Sequence, residues 1–166
     1  METNEVSFMK EALAEARRGF ELDEVPIGCV IVHEGKIIAR AANERVTRGN
    51  ALAHAEILAI GQACEHIGDW RLEECTIYVT IEPCPMCAGA IIQARIPTVV
   101  YGAKNPKAGC HESIYNILEE PRFNHQANVI TGVLEEECAV IMQKFFQKRR
   151  SPCLETKIPN KPQEKF

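Results

Sequence analysis

His54-Ala55-Glu56, answered by Pro83-Cys84-Pro85-Met86-Cys87, supplies three borderline-to-soft metal donors in two short pieces of chain. Structural zinc sites close their tetrahedron with four protein ligands, whereas catalytic ones use three and keep a position open for water. His54, Cys84 and Cys87 therefore read as the ligands of a catalytic zinc, and Glu56 as the group that moves the water's proton. Taken singly, each residue has a plainer reading. Cys-x-x-Cys alone suits a structural zinc or a redox pair, and a lone histidine or glutamate suits the first turn of a solvated helix. The order and spacing of all four together decide for the metal site.

Such a site dictates much of the fold. Cys84 and Cys87 are three residues apart at the start of a helical stretch, so they share one face. A helix N-terminus also favours the thiolate that a metal needs. His54 must come from another element, so two helix starts have to meet at one sheet edge, where α/β folds build their sites. The flanking sequence fits. Val6, Met9, Leu13, Ala16 and Phe20 recur at helical spacing, predicting a helix over 6–20. The β-rich runs 27–32 and 36–41 flank Glu34-Gly35 and predict an antiparallel hairpin. A polar loop, 43–53, leads to a helix over 54–67 with Ile57, Ile60, Cys64 and Ile67 as its apolar stripe. The continuous apolar run 75–81 predicts a strand buried on both faces. A helix over 84–95 and a strand over 97–102 follow, making a parallel pair with a right-handed crossover. Beyond a loop at 103–113, the pattern predicts a short helix near 114–118, a short strand at 128–131 and a last helix over 134–150. That helix has Glu135, Glu136 and Glu137 in its first turn and Lys148, Arg149 and Arg150 in its last, complementing its dipole. The expected architecture is a three-layer α/β/α fold, a mixed sheet of about five strands with helices on both faces.

A chain of 166 residues with 46% hydrophobic and 25% charged side chains fits one soluble domain, here 1–150. Residues 151–166, with three prolines and no apolar period, read as a disordered tail. The acidic start lacks the pattern of a signal peptide, and no apolar run is long enough to cross a membrane, so a cytoplasmic protein is expected. Its eight cysteines are then thiols, with Cys29, Cys64, Cys75 and Cys138 as small core residues and Cys110 and Cys153 in loop-like sequence. A net charge of −4 does not exclude a nucleic-acid partner, because phosphate binding needs only a local basic patch. Candidates are Arg45 and Arg48, then Arg95, Lys104 and Lys107, then Lys144, Lys148, Arg149 and Arg150, although each group equally suits a solvated face.

His-x-Glu followed by Pro-Cys-x-x-Cys is the signature of zinc-dependent nucleobase and nucleoside deaminases. Beyond it, the chain resembles the bacterial tRNA-specific adenosine deaminases, of cytidine deaminase-like fold, over nearly its whole length. The resemblance runs through Glu24-Val25-Pro26-Ile27-Gly28, Ala53-His54-Ala55-Glu56, Trp70-Arg71-Leu72, Tyr78 to Cys84, Met86-Cys87-Ala88-Gly89-Ala90-Ile91, Arg95-Ile96-Pro97 and Asn124-His125. It implies a homodimer with one zinc per subunit that converts the wobble adenosine of a tRNA anticodon to inosine, with an arginine tRNA of anticodon ACG as substrate. It also makes Asn43 the asparagine that hydrogen-bonds the target nucleoside, and places 103–107 near the substrate strand.

Four departures bear on substrate contacts. Pro85 stands where an apolar residue is usual, and Pro-Cys-Pro-Met-Cys is also similar to bacterial guanine deaminases. Asn50-Ala51-Leu52 replaces Asp-Pro-Thr, Gln126 replaces a common arginine, and His111-Glu112 brings a bulky acid where a small residue is frequent. The alternative function is accordingly a free-base deaminase acting on guanine or cytosine. A zinc-stabilised RNA-binding module without catalysis would have no use for Glu56.

Overall fold

The apolar runs form a five-stranded sheet, with β1 (Gly28–His33), β2 (Lys36–Ala42), β3 (Cys75–Ile81), β4 (Thr98–Ala103) and β5 (Asn128–Ile130) in the order β2-β1-β3-β4-β5. The structure, a computed structural model, describes residues 3–150; the expected tail at 151–166, with Cys153, lies outside them. β1 pairs antiparallel with both β2 and β3, while β3, β4 and β5 are parallel. Two antiparallel steps make β2 run with β3. The C-terminal ends of β2, β3, β4 and β5 therefore lie at one edge of the sheet.

Helices cover both faces. α1 (Asn4–Glu21) and α4 (Glu135–Arg150) pack Met9, Ala12, Leu13 and Cys138 against Val30, Tyr78 and Val100. α2 (Ala55–Ile67) and α3 (Pro85–Gln93) pack Ala55, Ala59, Ala63 and Ile91 against Ile31, Ile77 and Tyr101. The three-layer expectation is met. α1 starts where Thr3 caps it, its hydroxyl accepting from the Val6 N–H, and its backbone lies directly on β1. A Cβ at Gly28 would sit 1.9 Å from the Ala12 carbonyl oxygen, so no larger residue allows this approach.

Two expectations fail. The buried face of α2 is Ala55, Glu56, Ala59 and Ala63; Ile57, Ile60 and Cys64 are half-buried and Ile67 is exposed. Small side chains let the helix lie close to the sheet, and the larger apolar ones flank that contact or face outward. The short helix at 114–118 does not form. Its backbone donors turn elsewhere, Ile114 N–H to the Gly109 carbonyl and Ile117 N–H to that of Cys110, both at 3.0 Å. The Asn116 side chain takes the Glu119 N–H at 3.1 Å, a local bond that competes with helix. This irregular stretch lies on the α2/α3 face and buries Cys110, Leu118 and Ala127 there. All seven cysteines among the described residues are free thiols; Cys29, Cys75 and Cys138 are core residues, and Cys64 is only half-buried.

Candidate metal centre

α2 and α3 begin at the same sheet edge, each just after the residue that would hold a metal. His54 is the N-cap of α2 and Cys84 the N-cap of α3, both in extended backbone conformation. Pro85 sits at the first position of α3, where a missing N–H costs nothing and the fixed φ suits the helix. It has a local reason to be there that does not involve substrate. Cys87, one turn in, is fully buried and returns to the same face.

The His54 Nδ1 atom lies 3.6 Å from the Cys84 Sγ and 3.6 Å from the Cys87 Sγ. In a tetrahedron with Zn–S of about 2.3 Å and Zn–N of about 2.0–2.1 Å, nitrogen and sulfur are about 3.6 Å apart. The donor set thus fits zinc in kind and in spacing. Among the described residues this is the one group of three or more such side chains whose ligand atoms lie within 4.8 Å of one another. The groups also hold each other's protons. The Cys87 thiol and His54 draw Cys84 down to about 4, while bonding to Cys84 and burial push Cys87 well up. Hydrogen bonding to Cys84 raises His54, aided by the charge of Glu56.

Glu56, in the first turn of α2, is only 4% exposed. Burial raises its carboxyl above the ordinary range, and it bonds with the Cys87 side chain. A buried carboxyl beside the thiols and the His54 ring is suited to take up and release a proton.

Asn43, directly after β2, is 5% exposed, and its backbone N–H donates to the Ile27 carbonyl at 3.0 Å. Its side-chain nitrogen donates to Glu24 at 3.3 Å. Two further buried acids, Glu24 and Glu82, escaped the reading of the sequence. Glu82 follows the last residue of β3 and accepts the N–H groups of Asn105, His111, Glu112 and Ser113. The available signal was its place, an acid between the apolar end of a buried strand and Pro83-Cys84.

The scattered cations are partly gathered. Lys104, Lys107, Arg149 and Arg150 rim a cavity of about 650 Å³, with Ile81, Met142 and Phe146 among its apolar walls. It opens at the edge of the sheet from which Cys84 departs. Arg48 instead pairs with Glu44, Arg95 caps the Ile92 carbonyl beside Trp70, and Lys144 lies on another surface between α1 and α4.

Comparison with known proteins agrees with this geometry. The family model described as MafB19-like deaminase matches residues 3–150. The tRNA-specific adenosine deaminase of Bacillus subtilis (strain 168) is 53% identical over 148 residues, covering 89% of this chain and 92% of that protein. A solved structure from work on A-to-I editing by tRNA:A34 deaminases at the wobble position superposes with a TM-score of 0.78. It is 47% identical and covers 81% of this chain and 98% of its own. The guanine deaminase of Bacillus subtilis is more distant, 31% identical with a TM-score of 0.58 over 91% of this chain and 96% of its own.

Proposed function

Because the chain belongs to the tRNA-specific adenosine deaminases, we propose that it deaminates adenosine hydrolytically to inosine at the wobble position of a tRNA anticodon, with one zinc per chain. The observation that carries this is the His54 Nδ1 atom at 3.6 Å from both the Cys84 and Cys87 thiols, beside the buried Glu56.

His54, Cys84 and Cys87 would hold the ion. Zinc, when bound, supplies a Lewis acid that makes water a better nucleophile at neutral pH. Glu56 takes the proton of the attacking water, passes it to the purine ring nitrogen, and serves the departing ammonia in the same way. Asn43 hydrogen-bonds the target nucleoside. Burial of Glu56 and Cys87 keeps bulk water from competing for these protons. Purified protein should therefore contain about one zinc per chain. Cys87→Ser should cut that to a small fraction and lower the thermal midpoint, measured by metal analysis beside a melting curve. Full occupancy and activity in this variant would remove Cys87 from the site.

Substrate choice rests on the basic-rimmed cavity at the same edge. A splayed-out anticodon loop needs cations for phosphates and apolar surface for bases, and this cavity offers both. We assign an arginine tRNA with anticodon ACG. Lys104 is held by Glu112 and Arg149 by Asp23. If Lys107 and Arg150 each meet a phosphate, the log–log salt slope is about 1.4, and the apparent KM for the stem-loop rises roughly 7-fold between about 50 and 200 mM salt. Guanine is the alternative substrate, favoured by Pro-Cys-Pro-Met-Cys and the 31% identical guanine deaminase. Ammonia release from guanine, run beside sequencing of edited RNA, separates the two. Rapid, salt-insensitive turnover of guanine with unedited tRNA would overturn the assignment.

We include homodimerisation, supported by Ile57 and Ile67 on the outward side of α2 and by Leu52, which is 58% exposed. No helix among the described residues is long and apolar enough to cross a membrane, which is compatible with a cytoplasmic enzyme meeting tRNA.

A further inference from the structure

Glu24 is 1% exposed, and no step above uses it. It lies in the turn between α1 and β1. Oε2 accepts from Asn43 Nδ2 at 3.3 Å, and Oε1 accepts the Thr47 N–H. Burial pushes this carboxyl up, but the bonds from Thr47 and Val46 and the charge of Arg45 prevail and hold it below its ordinary value. Glu24 is therefore ionised at neutral pH and can only accept. The second neighbour of Asn43 Nδ2, the Val25 carbonyl at 3.5 Å, also only accepts. Two acceptors leave the asparagine amide one orientation, nitrogen towards Glu24 and carbonyl oxygen away from it.

The other oxygen of the same carboxylate ties down the loop that delivers His54. Thr47 lies in the 43–53 segment, which closes through the Glu44 N–H on the Ala53 carbonyl at 2.9 Å, immediately before the histidine. The neighbouring Asp23 is anchored in turn to the end of α4. Arg149 donates to its carbonyl oxygen at 3.0 Å and to its carboxylate at 3.3 Å, and Lys148 lies 3.5 Å away.

We propose that Glu24 is a positioning residue that fixes which end of the Asn43 amide meets the target nucleoside, without touching substrate itself. This rests on the assignment of Asn43 to the nucleoside.

Glu24→Gln is nearly isosteric, but its one remaining oxygen is claimed by the Thr47 backbone N–H, which cannot turn, so its N–H₂ faces Asn43 and turns the asparagine amide over. It should lower kcat/KM by about 10- to 100-fold, the scale typical of residues that orient a functional group, with zinc content unchanged. Asn43→Ala should cost at least as much, and the double variant no more than Asn43→Ala alone, because the two act as one unit. Asn43→Asp supplies the sign test. It sets two carboxylates against each other, and adding Glu24→Gln restores a donor–acceptor pair, so the substitution that harms the natural enzyme should raise kcat/KM and the thermal midpoint here. Each variant is assayed on whichever substrate the unaltered enzyme turns over fastest, so failure of tRNA editing alone leaves the cycle readable. Losses that multiply, full activity in Asn43→Ala, or an equally harmful Glu24→Gln in the Asn43→Asp background would overturn the proposal.

Discussion

Glu56→Ala is expected to keep the fold and its zinc while RNA deamination falls by about 1,000-fold, within the range that a positioned general acid–base contributes. Glu56 is not one of the three clustered donors, so metal content should not follow its loss. It sits on the buried face of α2 between Ala55 and Ala59, and alanine continues the helix without strain. Removing a carboxyl that burial already destabilises costs the fold little. Glu56→Gln sharpens the test. It keeps the volume and a hydrogen bond to Cys87 but cannot exchange a proton, so it should be as inactive as alanine. Metal analysis, melting and single-turnover editing of the stem-loop are the measurements. Either variant retaining a tenth of the rate, or losing its zinc, would show that Glu56 works through the site's structure and not as a proton carrier.

The parts of this molecule legible in its sequence are those set by local pattern. His54, Cys84 and Cys87 announce themselves by chemistry and spacing, and the requirement that their helix starts converge implied the edge at which β2 and β3 end together. The 75–81 run was legible because a strand covered on both faces is apolar throughout. Orientation within an element was less so. α2 has two apolar sides, and periodicity favoured the isoleucines over the alanines that seat it on the sheet. Residues 114–118 carry helix-compatible side chains, but their backbone donors are claimed by Gly109 and Cys110. Glu24 and Glu82 stayed hidden for the same reason on a longer scale, since their partners lie 19 to 31 residues away and include backbone N–H groups that side-chain chemistry does not advertise. Asn43 was reached by resemblance alone, and its buried bond to Glu24 is a contact that sequence could not show.

Glu82→Gln should cost the enzyme at least about 3 kcal/mol of stability at neutral pH, and the cost should shrink in acid. The carboxylate is 1% exposed and receives the N–H groups of Asn105 at 2.9 Å, His111 at 3.0 Å, Glu112 at 2.8 Å and Ser113 at 3.0 Å, with the Ser113 hydroxyl as a fifth donor. The loop lies directly on it; a Cβ at Gly109 would be 2.2 Å from its Oε2. Burial works against the charge, yet these donors prevail and lower the carboxyl to about 2. A carboxyl depressed in the folded state gives its full stabilisation above the unfolded value, near 4.5, and loses it as pH falls towards 2. That depression is worth about 3 kcal/mol at pH 7 and roughly half that at pH 3. Glutamine keeps one acceptor oxygen but turns an N–H₂ on the remaining donors, so it removes the charge and adds a mismatch. Urea unfolding of both proteins at pH 7 and pH 3 measures the gap, and loss of metal in acid, common to both, cancels in the difference. Function should follow stability, because the tethered loop contributes Lys104, Asn105 and Lys107 to the basic cavity and bonds Cys110 N–H to the Pro83 carbonyl at 2.9 Å, beside Cys84. The KM for the stem-loop should therefore rise, while turnover of bound RNA is affected less. A stability gap below about 1 kcal/mol, or one that does not narrow on acidification, would mean that the loop is held by its apolar contacts and that the carboxylate is incidental.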